Sequence, residues 1–138
     1  MNIDGRCHCG YIRYAAEIDP ERVAICHCTD CQTLSGSAFR IVVFAPSEAF
    51  TLLAGTPKIY VKPADSGARR AQAFCPECGT GIHSSDADHP SYLGIRAGTA
   101  RQRAELVPKY QFWCRSALPW LGSVAVIPSF ELQPPLPR

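Results

Sequence analysis

Eight cysteines, seven of them in three tight groups, constrain this chain more than any other feature. The groups are Cys7-His8-Cys9, Cys26-His27-Cys28-Thr29-Asp30-Cys31 and Cys75-Pro76-Glu77-Cys78, and Cys114 stands apart. Thiols this close together are typical of metal sites, whereas disulfide frameworks belong to oxidising compartments. The N-terminal residues contain no apolar segment of a secretory signal. We therefore expect a cytoplasmic protein whose thiols stay reduced.

Length and charge set broader limits. A chain of 138 residues fits a single domain that buries its own core, and we expect one domain over residues 1–138 with its core at about 5–130. The tail from Pro128 onward holds four prolines and is expected to lie as an extended strap. A net charge of +2 gives no argument for a nucleic acid or an anionic membrane as partner. The basic residues Arg96, Arg101, Arg103 and Lys109 are expected to form a solvated edge.

Short alternating runs predict a mainly β fold. From Tyr11 to Ile18, every second residue is apolar, as in a half-buried strand. Further strands are predicted at 23–25, 38–45, 50–54, 58–61, 69–74, 82–83, 92–97 and 109–114. Gly55-Thr56-Pro57 is expected to join two of them in a hairpin, and Thr29 to Leu34 to form a helical turn capped by Thr29 and stopped at Ser35-Gly36.

The first and third groups together offer four thiolates, from Cys7, Cys9, Cys75 and Cys78. Four cysteines are a common ligand set for structural zinc. Gly10 and Gly79 follow the two pairs and allow the backbone to turn, so that amides point at the sulfurs. We expect a structural zinc; an iron–sulfur cluster and buried free cysteines are the alternatives.

The middle group offers only three thiolates, from Cys26, Cys28 and Cys31. A structural zinc site is closed by four protein ligands, whereas a catalytic site keeps one position open. A zinc ion on three thiolates is a weak Lewis acid suited to capturing a soft thiolate, and a metal-bound thiol is deprotonated. We therefore expect a second, catalytic zinc, which makes two per chain.

Two other residues could close this second site. His27 lies between two of the expected ligands, so its coordination in the same knuckle would be strained. Cys114 is distant in sequence but lies on a predicted strand that could bring it in. A plain buried cysteine is the other interpretation of Cys114.

The cysteine motifs, in this order, resemble those of a known family. The matching residues are Cys7-His8-Cys9-Gly10, Cys26-His27-Cys28-Thr29-Asp30-Cys31 with Ser35-Gly36, Phe74-Cys75-Pro76-Glu77-Cys78-Gly79-Thr80, Gly98, Pro108 and Trp120. From Gly5 to about Phe130 the chain resembles the glutathione-dependent formaldehyde-activating enzyme (GFA) family, which includes centromere protein V.

The resemblance implies a β-tent fold of small antiparallel sheets clasped by zinc. It implies a structural zinc on the four outer cysteines and a catalytic zinc on Cys26, Cys28 and Cys31. It also implies a carbon–sulfur lyase activity, the condensation of formaldehyde with glutathione to S-(hydroxymethyl)glutathione. The implied partners are a small-molecule thiol and an aldehyde.

Two positions differ from the glutathione-linked members of that family, and a third differs from many of its members. Those members carry Gly at the position of His27 and Trp at that of Gln32, and many members carry His at that of Gln111. The chain therefore resembles the broader branch of the family, whose thiol and carbonyl substrates are not defined by these motifs.

Several residues near the middle group could contact a substrate. Ser35, Gly36 and Ser37 could offer hydroxyls or amides to an aldehyde oxygen or a carboxylate, or simply form a turn. His27 could move protons near neutral pH or serve as a supporting residue. Trp120 could line a pocket or pack. Arg69 and Arg70 could grip carboxylates or lie on a solvated strand face.

Overall fold

The computed structural model describes residues 1–135 and is mainly β, which confirms the predicted fold class. The described strands are Asn2–Arg6 (β1), Arg13–Glu17 (β2), Val23–Cys26 (β3), Arg40–Pro46 (β4), Phe50–Ala54 (β5), Lys58–Pro63 (β6), Arg69–Phe74 (β7), Gly81–Asp86 (β8), Tyr92–Arg96 (β9) and Tyr110–Phe112 (β10). The α-helix spans Thr29–Ser35 (α1), and short 3-10 turns span Pro20–Arg22, Ser47–Ala49, Ala97–Thr99, Cys114–Ser116 and Leu121–Val126. No described helix has the length and apolar character needed to cross a membrane.

The strands form two sheets. The smaller sheet has the order β1-β2-β5, and the larger has the order β10-β3-β4-β9-β8-β7-β6. Neighbouring strands pair antiparallel throughout, except that β10 runs parallel to β3. That one parallel pair is a departure from the expected antiparallel sheets, and it places the end of β10 beside Cys26.

The expected hairpin at Gly55-Thr56-Pro57 is wrong. β5 pairs with β2 in the smaller sheet, whereas β6 pairs with β7 in the larger one. The Phe50 ring stacks on Tyr14 with centroids 5.1 Å apart, so packing draws β5 to the smaller sheet. Gly55, at φ 79°, turns the chain from one sheet to the other.

Apolar side chains from both sheets meet in one core. Tyr14 of β2 and Val43 of β4 are fully buried within it, and Phe50 of β5 contacts His83 of β8 edge to face at 5.1 Å. The smaller sheet therefore covers one face of the larger sheet. The predicted alternation of Ile12, Tyr14, Ala16 and Ile18 is confirmed, since all four are buried.

The opposite face of the larger sheet is more polar. Along β9, Leu93 and Ile95 belong to the core, and the alternating Gly94 and Arg96 line a cleft on the other side. The same period of two places Arg40 of β4 on the cleft side. The expectation of a solvated edge is therefore wrong for Arg96, although Arg101 is exposed and pairs with Asp4.

The helix and the tail complete the described chain. Cys28, rather than Thr29, is the N-cap of α1: its sulfur accepts a hydrogen bond from the Cys31 amide, and Gly36 ends the helix at φ 62°. Beyond Val126 the described residues form no helix or strand. The side chain of Leu132 is 85% exposed, so it does not anchor the tail as a strap would; residues 136–138 lie outside the described part.

Gly5 meets the Tyr14 ring so closely that a Cβ would lie 2.3 Å from it. We expect Gly5→Ala to push the ring from the core and to lower the free energy of unfolding by about 1–3 kcal/mol. Gly98→Ala is the matched control, because a Cβ there would meet nothing within 4 Å. Urea unfolding of both variants provides the measurement; equal stability of the two would contradict the packing described.

Candidate metal centres

Four thiols from distant parts of the chain lie together. The sulfurs of Cys7, Cys9, Cys75 and Cys78 are all within 4.8 Å of one another. The Cys7 and Cys9 sulfurs are 3.6 Å apart, and those of Cys9 and Cys75 are 3.8 Å apart. Sulfurs at about 2.3 Å from a tetrahedral zinc lie about 3.8 Å apart, so the spacing of this four-thiol cluster suits a zinc ion.

Both knuckles of the four-thiol cluster are tight turns. The Gly10 amide donates to the Cys7 carbonyl at 3.1 Å, and the Gly79 amide donates to the Cys75 carbonyl at 2.9 Å. The Ile12 amide donates to the Cys7 sulfur at 3.1 Å. Such amides favour the thiolate form and orient it toward a metal.

The knuckles are also joined to each other. The His8 amide donates to the Thr80 hydroxyl oxygen at 3.1 Å, and that hydroxyl lies 3.2 Å from the Cys78 sulfur. Hydrogen bonds from Thr80 and from the Cys9 backbone lower the pKa of the Cys78 thiol to about 5. The four-thiol cluster therefore favours thiolate at one exposed corner even without a cation.

Three more thiols form a second cluster at the start of α1. The sulfurs of Cys26, Cys28 and Cys31 lie within 4.8 Å of one another. Cys26 ends β3, and the other two lie at the cap and in the first turn of α1. This three-thiol cluster can also hold a metal ion, as the donor set and spacing suit zinc.

The three thiols differ in pKa because of the hydrogen bonds between them and because of burial. A hydrogen bond with Cys31 lowers the pKa of Cys26, and the same bond raises the pKa of Cys31 above its ordinary value. Burial raises the pKa of Cys28. The cluster thus favours one thiolate that is stabilised by hydrogen bonds from neighbouring thiols. A bound cation would take the place of those protons.

A cleft of about 590 Å³ opens directly onto the three-thiol cluster. All three of its cysteines line this thiol cleft, with Val42, Phe44 and Phe112 as apolar wall. No cysteine of the four-thiol cluster lines it. The three-thiol cluster thus faces a cleft that can admit a small molecule, whereas the four-thiol cluster is not part of that cleft.

A second cleft, of about 910 Å³, adjoins the first. Its apolar lining includes Leu34, Phe39, Ile41, Ile59, Tyr60 and Phe74, so we name it the apolar cleft. Leu34, Arg40, Gln72 and Arg96 line both clefts and form the wall between them.

Charge in the thiol cleft is mainly positive. Five cationic side chains line it, those of Arg40, Lys62, Arg70, Arg96 and Arg115, against two carboxylates, those of Asp30 and Asp65. Lys62 of β6 pairs with Asp30 of α1 across the cleft. A negatively charged small molecule would therefore be favoured in the thiol cleft.

His27 occupies neither cleft. It is 3% exposed, its Nε2 lies 2.8 Å from the Gln111 side-chain oxygen, and its ring packs edge to face on Phe39. The Gln32 amide nitrogen donates to the carbonyls of His27 and Ser116, both at 2.9 Å. His27, Gln32 and Gln111, the three positions singled out as departures from the family motifs, are thus joined by hydrogen bonds.

The other residues predicted to contact a substrate are scattered. Ser35 and Ser37 line the apolar cleft, whereas Gly36 and Trp120 line neither cleft. Trp120 is 54% exposed. Cys114 is exposed and His27 is buried, and both lie outside the two clusters, so neither closes the second cluster in the described structure.

Arg69 and Arg70 lie on opposite sides of β7. Arg69 pairs with Asp88 at 2.8 Å on the surface, and Arg70 lines the thiol cleft. Trp113 also lines this cleft, at φ 57°, which is rare for a bulky residue, and its ring contacts Arg115. Nothing in the sequence pattern had singled out Trp113.

Sequence reasoning also missed Arg40 and Gln72. Both are at least nine-tenths buried, yet both line the clefts. The sequence did offer one signal for Arg40, which is a cationic residue at the start of a strongly apolar strand. A charge at such a position needs a specific reason.

Together, a mainly β domain with one four-thiol and one open three-thiol cluster defines a small protein with two candidate zinc sites. The family model described as glutathione-dependent formaldehyde-activating enzyme matches residues 2–116. The chain belongs to this family.

Comparison with solved structures gives the fold independently. A crystal structure of a Rhodobacter sphaeroides protein matches with a TM-score of 0.61 and 18% identity, covering 78% of this chain and 98% of that one. At this identity the likeness shows a shared fold. No curated protein matches the sequence.

The four-thiol cluster should be essential to the fold. We expect Cys78→Ser to lose its metal and to lower the free energy of unfolding by several kilocalories per mole, because the cluster joins the chain before β2 to the chain before β8. Metal content and thermal unfolding measure both effects. Cys114→Ser, at a thiol outside both clusters, should leave both unchanged. A Cys78→Ser protein with full metal content and wild-type stability would contradict a structural role.

Proposed function

We propose that the protein is a zinc-dependent enzyme of the carbon–sulfur lyase type. It adds a small-molecule thiol, glutathione or a related compound, reversibly to formaldehyde or another carbonyl compound. The contrast between the two clusters carries the proposal: the three-thiol cluster opens on a cleft of about 590 Å³, and the four-thiol cluster does not line it. Membership of the family supports it.

The residues divide between two zinc ions. Cys7, Cys9, Cys75 and Cys78 would hold the structural ion, and Cys26, Cys28 and Cys31 the catalytic one. A zinc ion on three thiolates offers a position to one further soft ligand and keeps a bound sulfur in its deprotonated, nucleophilic form. Free thiols in both clusters suit the reducing cytoplasm, where we place the protein.

The proposed reaction balances without an oxidant or a second cofactor. The substrate sulfur forms a bond to the carbonyl carbon, and the carbonyl π electrons move to oxygen. The oxygen then takes up the proton that the thiol gave up, so the product is a hydroxyalkyl thioether. In the reverse direction the carbon–sulfur bond breaks and releases thiol and aldehyde.

The chain's own residues hold the reacting groups and limit water. Val42, Phe44 and Phe112 supply the apolar wall beside the cysteines. Gln32 fixes the backbone at His27 to that at Ser116, and so holds the segment between β3 and α1 in place. His27 supports this segment from below through its contact with Gln111 and takes no direct part in the reaction.

A zinc module that only binds a protein partner is the alternative. It would require both metal sites to be closed by protein ligands, with Cys114 as the fourth ligand of the second. The position of Cys114 outside the three-thiol cluster favours the enzyme.

The two zinc sites should respond differently to loss of one ligand. We expect Cys31→Ser to lose the second zinc, because two thiolates hold zinc poorly. Turnover should fall by about a hundredfold or more while the fold survives. Circular dichroism, metal content and NMR-detected exchange between formaldehyde and thiol measure the three effects. Cys114→Ser should retain two zinc ions and activity. Global unfolding of Cys31→Ser, or full turnover without the second zinc, would refute this assignment.

A further inference from the structure

Two arginines converge on one oxygen atom in the wall between the clefts. The Gln72 side-chain oxygen accepts a hydrogen bond from Arg96 Nη2 at 2.8 Å and one from Arg40 Nη1 at 3.4 Å. Arg96 also donates to the Ser84 hydroxyl and to the Gly94 carbonyl through Nη1. Two guanidinium groups are thus already arranged around a single acceptor position.

Neither arginine has a carboxylate partner among residues 1–135. Arg40 is 8% exposed, and its one described side-chain hydrogen bond is the long one to Gln72. Burial, followed by the nearby charge of Arg40, lowers the pKa of Arg96 to about 9. Two adjacent cations, one buried and one half-buried, that lack a carboxylate partner destabilise a fold unless an anion joins them.

The three-thiol cluster offsets this charge only in part: the nearby thiols of Cys31 and Cys26 raise the pKa of Arg96, but less than burial and Arg40 lower it. Among the described residues, neither guanidinium donates a hydrogen bond to a cysteine sulfur; their donors go to Gln72, Ser84 and the Gly94 carbonyl. Arg70 and Arg115 add further positive charge to the thiol cleft. With a divalent cation on three thiolates, the site would carry only about one negative charge, so an excess of cations remains.

We propose that Arg40 and Arg96 form a carboxylate-binding subsite that holds the thiol substrate beside the three-thiol cluster. This inference rests on the proposed function and narrows its substrate to a thiol that carries a carboxylate. The guanidinium groups can each donate to one carboxylate oxygen, near the position that the Gln72 oxygen now serves. Gln72 would turn its amide nitrogen toward the same carboxylate.

The position of the subsite fits such a substrate. Arg40 and Cys26 are directly paired across β4 and β3, so their Cα atoms are about 5 Å apart. Paired residues extend from the same face of a sheet, so a carboxylate on Arg40 would lie in the same cleft as a sulfur at the cysteines. The apolar cleft begins at the same wall and could accept the less polar part of the molecule.

A thiol-free probe separates this subsite from metal binding and turnover. Zinc-loaded protein is titrated calorimetrically with S-methylglutathione, which has carboxylates but no free thiol, and with its diethyl ester. We expect the acid to bind about tenfold or more tightly than the ester. Equal affinity, or no binding of the acid, overturns the proposal.

Variants then test the two arginines. Arg40→Gln and Arg96→Gln should each weaken binding of the acid by about tenfold or more and leave the ester unaffected. Arg69→Gln removes a similar charge at a residue that faces away and pairs with Asp88, so it should bind the acid like wild type. If the glutamine variants do not fold, Arg40→Lys and Arg96→Lys replace them, with weaker binding expected. Unchanged affinity in any folded variant of either arginine overturns the proposal.

A turnover assay distinguishes failure of the subsite from failure of the proposed function. With formaldehyde, 3-mercaptopropionate should react with a lower KM than 2-mercaptoethanol, and Arg40→Gln should remove the difference. If the probe binds through the arginines but no thiol is turned over, the enzyme proposal fails and the subsite stands. If both thiols react equally in wild type and variant, the enzyme stands and the subsite fails.

Discussion

The gathering of Cys7, Cys9, Cys75 and Cys78 is the constraint on which the rest of the structure depends. One pair precedes β2 in the smaller sheet, and the other follows β7 in the larger sheet. A cation on these thiolates would fasten the two sheets over their shared core. With the smaller sheet on one face of the larger, the opposite face is left for the thiol cleft.

The local chain conformation explains why the second cluster differs from the first. Cys26 is the last residue of β3, and α1 begins three residues later, at Thr29. The three thiols therefore come from one strand end and one helical turn, and no second knuckle faces them in the described structure. The vacant side opens to the cleft, and there the positive side chains gather.

The division of cysteines into four and three followed from sequence because metal ligands are close in sequence and chemically distinct. Most strands could be predicted for a similar reason, since residues such as Ile12, Tyr14 and Ala16 alternate clearly. Strand pairing was less accessible: β5 and β6 are neighbours in sequence but join different sheets, because Phe50 packs on Tyr14.

The cleft residues that the sequence did not predict are those whose position depends on which strands are neighbours. Arg96 belongs to a basic stretch and was expected at a solvated edge, yet the pairing of β9 with β4 and β8 places it beside Gln72 and Ser84. Arg40 faces the cysteines only because β4 pairs with β3. A site built across several strands leaves no local motif.

We expect a metal in the three-thiol cluster to accept an added thiol, and a metal in the four-thiol cluster to be closed by its protein ligands. Replacement of zinc by cadmium, followed by ¹¹³Cd NMR of the full chain, tests it most directly. We expect two resonances, of which only the one from the three-thiol cluster moves when glutathione or 3-mercaptopropionate is added. A single resonance, or two that are both unaffected by added thiol, would contradict it.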